Sequence, residues 1–240
     1  MAGDRSHQSE APTWHEYFRL QAEACTDPVL KRFYHAGLPP EDALIKDVPL
    51  MALDFETTGM DAQTHSIVSI GMVPFSLRTI RPAAGCYWIV KPSNALLEES
   101  VAFHGITHSE IERAPELDSV LDDVLDALAG HLVVVHYRDI ERPFLDRAVM
   151  DRRGEHCLFP LIDTMTIEAR WEREGRLRRI KRFFGIKPPS IRLSESRARY
   201  GLPAYSAHHA KVDAMATAEL FQAQVARHYS PETPVSSLWV

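Results

Sequence analysis

Residues 51–59 read Met-Ala-Leu-Asp-Phe-Glu-Thr-Thr-Gly, an apolar run that places two carboxylates two positions apart and then stops at a glycine. Successive side chains of a strand point to opposite faces, so Asp54 and Glu56 project together while Leu53 and Phe55 face the other way. Two acids side by side on one face repel each other, and a cation between them is expected. An all-oxygen donor set suits a hard divalent ion such as Mg²⁺ or Mn²⁺.

The length of 240 residues and the 45% hydrophobic content suffice for one substantial core, which points to one α/β domain with an extension. A formal net charge of −6, from 33 acids against 27 Lys and Arg, argues against a protein held on nucleic acid by bulk positive charge. It leaves room for a metal-dependent enzyme that touches only a few phosphates. Cys25, Cys86 and Cys157 are widely separated and lack metal-ligand spacing, which is the pattern of reduced structural thiols. No apolar run approaches the ~18 residues of a membrane span. Residues 1–12 are polar rather than basic and then apolar, so no secretory signal is expected and a cytoplasmic location follows.

Beyond this leader, Trp14, Tyr17, Phe18, Leu20 and Ala22 recur at helical spacing, and 29–35 form a second helical stretch closed by Gly37 and Pro39-Pro40. Residues 1–47 are therefore read as a leader and helical arm that packs on the domain or on a partner chain. Segments 50–55, 66–75 and 85–90 have the pattern of three consecutive strands. A helical stripe over 119–128 precedes the continuous apolar run Leu132-Val-Val-Val135, which suits a strand buried on both faces. Residues 140–150 read as helix, 160–162 as a short strand, 164–171 as helix and 207–229 as the longest helix. A meander followed by alternating strands and helices predicts a mixed sheet covered by helices. The domain is placed at 48–230, with 231–240 as a C-terminal tail; a docking peptide over 236–240, Ser-Ser-Leu-Trp-Val, is the minor alternative for its end.

A metal site needs acids from more than one element. Residues 136–145, His-Tyr-Arg-Asp-Ile-Glu-Arg-Pro-Phe-Leu, place Asp139 and Glu141 where a buried strand meets a helix, the usual edge for α/β active sites. Residues 206–214 place His208 five residues before Asp213 at a helix start, where the dipole favours anionic groups. Asp163-Thr164 has the character of a strand end and a helix cap.

Taken in order, Asp54-x-Glu56-Thr-Thr-Gly, then His136 after an apolar strand followed by an acid, then His208-x-Ala-x-x-Asp213-Ala resemble the DEDDh family of 3′–5′ exonucleases. That family includes the proofreading epsilon subunit of bacterial replicative DNA polymerase, ribonuclease T and oligoribonuclease. The resemblance spans residues 49–229, and Asp61, Ile67, Gly71, residues 104–107 and Asp163-Thr164 agree with it. It implies a ribonuclease H-like, mixed five-stranded α/β sheet flanked by helices. It also implies hydrolysis of single-stranded DNA, or of DNA 3′ ends, to nucleoside 5′-monophosphates with two Mg²⁺ or Mn²⁺ ions.

Carried over position by position, Asp54, Glu56 and Asp213 become metal ligands and His208 the base that takes the proton from water; an unperturbed imidazole titrates near ~6.5, which suits that task. The second motif departs from the family's His-Asn-x-x-Phe-Asp: its acid position falls on Glu141, one methylene longer than Asp. Asp139 is the rival, but a shift of two residues turns to roughly the opposite side of a helix. His209 is read as a solvated neighbour. The resemblance also assigns Phe55, Thr57, Thr58, His104 and His208 to the cradle of the terminal nucleotide. The basic run from Arg170 to Arg182 is either a solvated helix face or a contact for the strand 5′ of the scissile bond. An RNA or short-oligonucleotide exonuclease is the alternative within this class, and an inactive nucleic-acid-binding or polymerase-docking module the alternative outside it. The expected partners are a single-stranded nucleic acid 3′ end and a polymerase or a second copy of the chain; none is a membrane.

Overall fold

The computed structural model describes residues 12–93, 105–173 and 188–240. Five strands, β1 (Leu50–Thr57), β2 (Ile67–Phe75), β3 (Cys86–Ile89), β4 (Leu132–Val135) and β5 (Leu161–Asp163), form one sheet in the order β3-β2-β1-β4-β5. The first three pair antiparallel, as hairpin-length connections require, and β4 and β5 join parallel to β1 after helical crossovers. The predicted mixed five-stranded sheet is thus present.

The helices are α1 (Trp14–Ala24), α2 (Pro28–His35), α3 (His108–Arg113), α4 (Asp118–Leu128), α5 (Arg138–Arg153), α6 (Thr164–Arg173), α7 (Leu193–Arg199) and α8 (Ala210–His228). Alternation along β1 divides the interior in two. Met51, Leu53 and Phe55 join the core built with α1, α2, α4 and α5, whereas Leu50 and Ala52 join the core under α8. Val133 and Val135 of β4 face the first core, Leu132 and Val134 the second, so its unbroken apolar run follows from burial on both sides.

The arm is part of the first core. Asp27 caps α2 by accepting from the Val29 and Leu30 amides at 2.9 Å, with Pro28 pre-set for the first turn. Phe18, Phe33 and Tyr34 are buried, and the Tyr34 hydroxyl donates to the His156 carbonyl at 3.1 Å. The final residues are also engaged within the chain. Val235 and Leu238 are buried in the second core, and the Val240 amide donates to the Leu161 carbonyl at 2.8 Å, extending the edge of β5. Those apolar groups cover their own sheet rather than projecting as a free docking peptide. Cys25, Cys86 and Cys157 are free thiols, and no helix among the described residues is long and apolar enough to cross a membrane.

Candidate metal centre

Asp54 and Glu56 continue the face of β1 that starts with Leu50 and Ala52, and they emerge from under α8 at its N-terminal end. Opposite Asp54 in the β1–β2 ladder stands Gly71. A Cβ at Gly71 would lie 2.1 Å from the Ala210 carbonyl carbon, so a side chain here would push the first turn of α8 off the sheet. Glycine permits the close approach, which carries Asp213 to the two acids of β1. One carboxylate oxygen from each of Asp54, Glu56 and Asp213 lies within 4.8 Å of the others. A bulge between Glu56 and Thr57 re-aims the strand at this level.

Glu141 enters from the first turn of α5 and is 2% exposed, with Oε2 lacking a hydrogen-bond partner. The rival Asp139 has a side chain 66% exposed, beside Arg138 at 3.8 Å. Asp163 accepts from the Tyr137 and Met165 amides at 3.0 and 2.9 Å, the strand-end and capping role its position suggested.

Burial, then the charges of Glu141, Asp213 and Glu56, raises Asp54 well above the ordinary carboxylate range. Burial, then Asp163, Asp139 and Glu56, does the same to Glu141. Asp213 is raised by burial and by Glu56, against the pull of Tyr205 and of the His209 and His208 amides. An acidic cluster that resists ionisation, together with an orphaned buried oxygen on Glu141, fits hard divalent cations with oxygen ligands.

The sign of the pH effect follows. In the folded chain these acids hold protons that the unfolded chain releases above about pH 4, so their contribution to metal-free stability falls as pH rises toward neutrality. Cations that take the place of those protons reverse the trend, and the rise in Tm on adding saturating Mg²⁺ or Mn²⁺ is expected to grow from about pH 5 to about pH 8. His136 moves oppositely: burial lowers it to about 4, so its contribution is lost as pH falls from about 6.5 toward about 4. Comparing each pH with and without metal removes that term. Scanning fluorimetry showing no metal-induced shift at the upper pH would count against the centre.

His208 is not inside the helix. The periodicity places the helix start at 207, but α8 begins at Ala210 with His209 as N-cap, and His208 sits before it with φ +69°. This left-handed backbone, uncommon for a side chain of that size, turns the amides of His208 and His209 toward Asp213; the His209 amide donates to Oδ2 at 2.9 Å. His209 is exposed but not merely solvated, since its ring stacks on Tyr87 at 4.3 Å and an interplanar angle of 23°.

Tyr205 carries no motif spacing and escaped the sequence reading. Its hydroxyl faces Asp213, and its ring lies under the Arg197 guanidinium at 4.9 Å. Arg197 is buried and donates to the Ala216 and Pro203 carbonyls at 2.7 and 3.1 Å, fastening the loop before α8 to α8 itself. Of the residues assigned to the nucleotide cradle, Phe55 places its side chain in the core. The Thr57 hydroxyl donates to the Gly59 carbonyl at 2.7 Å, and that of Thr58 accepts from the Ser66 amide at 3.0 Å. His104 and residues 174–182 of the basic run lie outside the described residues.

The family model RNase_T, described as Exonuclease, matches residues 51–221. DNA polymerase III subunit epsilon of Treponema pallidum is 24% identical, over 78% of this chain and 80% of its own length. DNA polymerase III PolC-type of Thermotoga maritima is 27% identical over 75% of this chain, which spans only 12% of that relative. The nuclease domain of 3′hExo, a DEDDh family member solved bound to rAMP, superposes with a TM-score of 0.59 at 16% identity, covering 75% of this chain and 92% of that one. At that identity the likeness speaks for the fold.

Proposed function

The chain belongs to the RNase_T exonuclease family, and from that membership we propose that it is a metal-dependent 3′–5′ exonuclease that releases nucleoside 5′-monophosphates from single-stranded DNA or DNA 3′ ends, in a proofreading or repair role. The observation that carries the proposal is the convergence of Asp54, Glu56 and Asp213 oxygens within 4.8 Å. DNA as substrate draws support from relatives named as DNA polymerase III subunits, which also favour a polymerase as partner.

Asp54, Glu56, Glu141 and Asp213 would hold two Mg²⁺ or Mn²⁺ ions; when bound, such ions lower the pKa of water and offset charge on the attacking and leaving oxygens of an in-line displacement. The chain supplies the remainder. His208, presented by its left-handed backbone, accepts the proton of the attacking water at a ring nitrogen. The His209 amide holds Asp213, and the Tyr87 stack holds His209, so the base and the last carboxylate are set by one short segment. Backbone groups of Phe55, Thr57 and Thr58 cradle the terminal nucleotide.

Release of mononucleotides from matched, labelled DNA and RNA strands by pure protein, with Mn²⁺ or with chelator, tests the reading. Metal-dependent release from DNA upholds it, preference for RNA shifts it to the RNA alternative, and binding without release favours an inactive module.

Glu141 gives a sharper test. Its substitution by Gln removes a buried negative charge from the centre, whereas Asp139 is largely in solvent. Glu141→Gln is expected to lower kcat at least about 100-fold and Asp139→Asn less than about twofold. Glu141→Asp, with the acid one methylene short in a pocket shaped for Glu, should retain partial activity. The opposite order for Gln and Asn would move the fourth acid to Asp139.

A further inference from the structure

Further along α5 from Glu141 lies a concavity with a volume of about 170 Å³, whose wall includes His65, Lys91, Phe144, Arg147, Asp151 and Arg152. Lys91, Arg147 and Arg152 share this wall with one carboxylate, in a chain whose net charge is −6, and Lys91 is also paired with Glu116 at 3.7 Å. Asp151 is already held by Arg147 Nε at 2.8 Å, while the Arg147 Nη1 donates to Gln63 Oε1 at 3.2 Å. Arg152 has no ion-pair partner among the described residues, its Nη1 donating to the Ala148 carbonyl at 3.3 Å. The pocket is thus a cationic hollow in which Arg152 has donors that no carboxylate takes up among the described residues.

Its position gives it meaning. Glu141, Phe144, Ala148 and Arg152 follow one another at helical i+3 and i+4 steps, so one face of α5 carries the fourth acid and then the pocket wall. At 1.5 Å per residue, Arg147 and Arg152 lie about 9 Å and about 16 Å along the axis from Glu141. The opposite wall belongs to the loop after β1. The Thr58 amide donates to the Ser66 carbonyl at 2.9 Å and the Ser66 amide to the Thr58 hydroxyl at 3.0 Å, so the segment that follows the first two acids also shapes the pocket.

We propose that this pocket binds a backbone phosphate of the nucleic acid, one to a few linkages 5′ of the bond being cut, and so fixes the register of the strand over the metal centre. The proposal rests on the exonuclease reading above. Arg is suited to the task because its planar fork meets two phosphate oxygens at once, and such contacts position a strand without reading its sequence. A protein with no overall positive charge needs local sites of this kind to hold its substrate.

The test is fluorescence anisotropy of a labelled strand of about ten nucleotides in chelator, where nothing is cut, across a salt series. Arg147→Ala with Arg152→Ala is expected to raise Kd at least about tenfold and to flatten the slope of log K against log salt by about 0.7, the value for one neutralised phosphate on a single strand. Arg78→Ala, in the turn at the opposite end of β2, serves as the charge control and should leave both quantities unchanged. With Mn²⁺ added, the double variant should raise KM for the strand while kcat stays within about twofold, and Arg152→Lys should restore much of the salt slope. Loss on the single strand upholds the phosphate as one of the strand being cut, and loss confined to a primed duplex, which would place it on the complement, overturns the proposal. An unchanged salt slope on both substrates overturns the proposal, as does a loss of affinity that Arg78→Ala reproduces. Because the binding arm is free of metal, a wild-type protein that binds through the pocket yet releases no mononucleotide would uphold this site and refute the exonuclease reading.

Discussion

Asp54→Asn is expected to lower kcat by at least about three orders of magnitude and, in the same protein without metal, to raise Tm. The two outcomes share a cause. Burial and then the charges of Glu141, Asp213 and Glu56 make the ionised form of Asp54 costly to the fold. The amide removes that cost at neutral pH, and several degrees of Tm follow from one or two kcal/mol in a chain of this size. It also removes one of the proposed ligands of ions that would stabilise charge in the transition state, and the expected loss of activity follows from that role. Asp213→Asn should lose activity to a similar degree with a smaller gain in Tm, because Asp213 Oδ2 accepts from the His209 amide at 2.9 Å and an amide oxygen accepts less strongly. Circular dichroism, a thermal melt and single-strand hydrolysis on each purified variant measure this. Near wild-type hydrolysis in either, with metal in excess, would remove the assigned residue from the metal centre.

The parts of this site that sequence made visible are those governed by short periods. Asp54 and Glu56 share a face because a strand alternates, and the burial of Leu53 and Phe55 behind them follows from the same rule. β4 was legible because an apolar run too short for a helix needs cover on both sides. The relation of Asp213 to Asp54 was not legible from spacing, since it depends on Gly71 allowing the backbone of α8 to touch the sheet. The helix start was misplaced by three residues for a local reason: nothing in Ala207-His208-His209 breaks a helical pattern, and a left-handed φ at His208 leaves no trace in periodicity. Tyr205 and Arg197 left no trace either. Their positions depend on how the loop before α8 folds back, a long-range outcome of burying one guanidinium among carbonyls and an aromatic ring.

His208→Ala should separate catalysis from metal binding, which Asp54→Asn cannot do. The imidazole is proposed to carry a proton and to hold no cation, so its removal is expected to cost about 10² to 10⁴ in kcat, the usual span for a positioned general base. Asp54, Glu56, Glu141 and Asp213 remain in place, and the rise in Tm with saturating Mg²⁺ or Mn²⁺ should persist nearly undiminished. The adjacent ring provides the contrast. His209→Ala keeps the backbone amide that holds Asp213 but loses the stack on Tyr87 at 4.3 Å, so the segment presenting His208 is less firmly held. A loss of about three- to tenfold in kcat is expected there, smaller than for His208 because the proton acceptor is still present. If His208→Ala instead abolished the metal-induced rise in Tm along with activity, the histidine would be acting through the carboxylates. If His209→Ala proved the more damaging of the two, the base would have to be moved one residue along the chain.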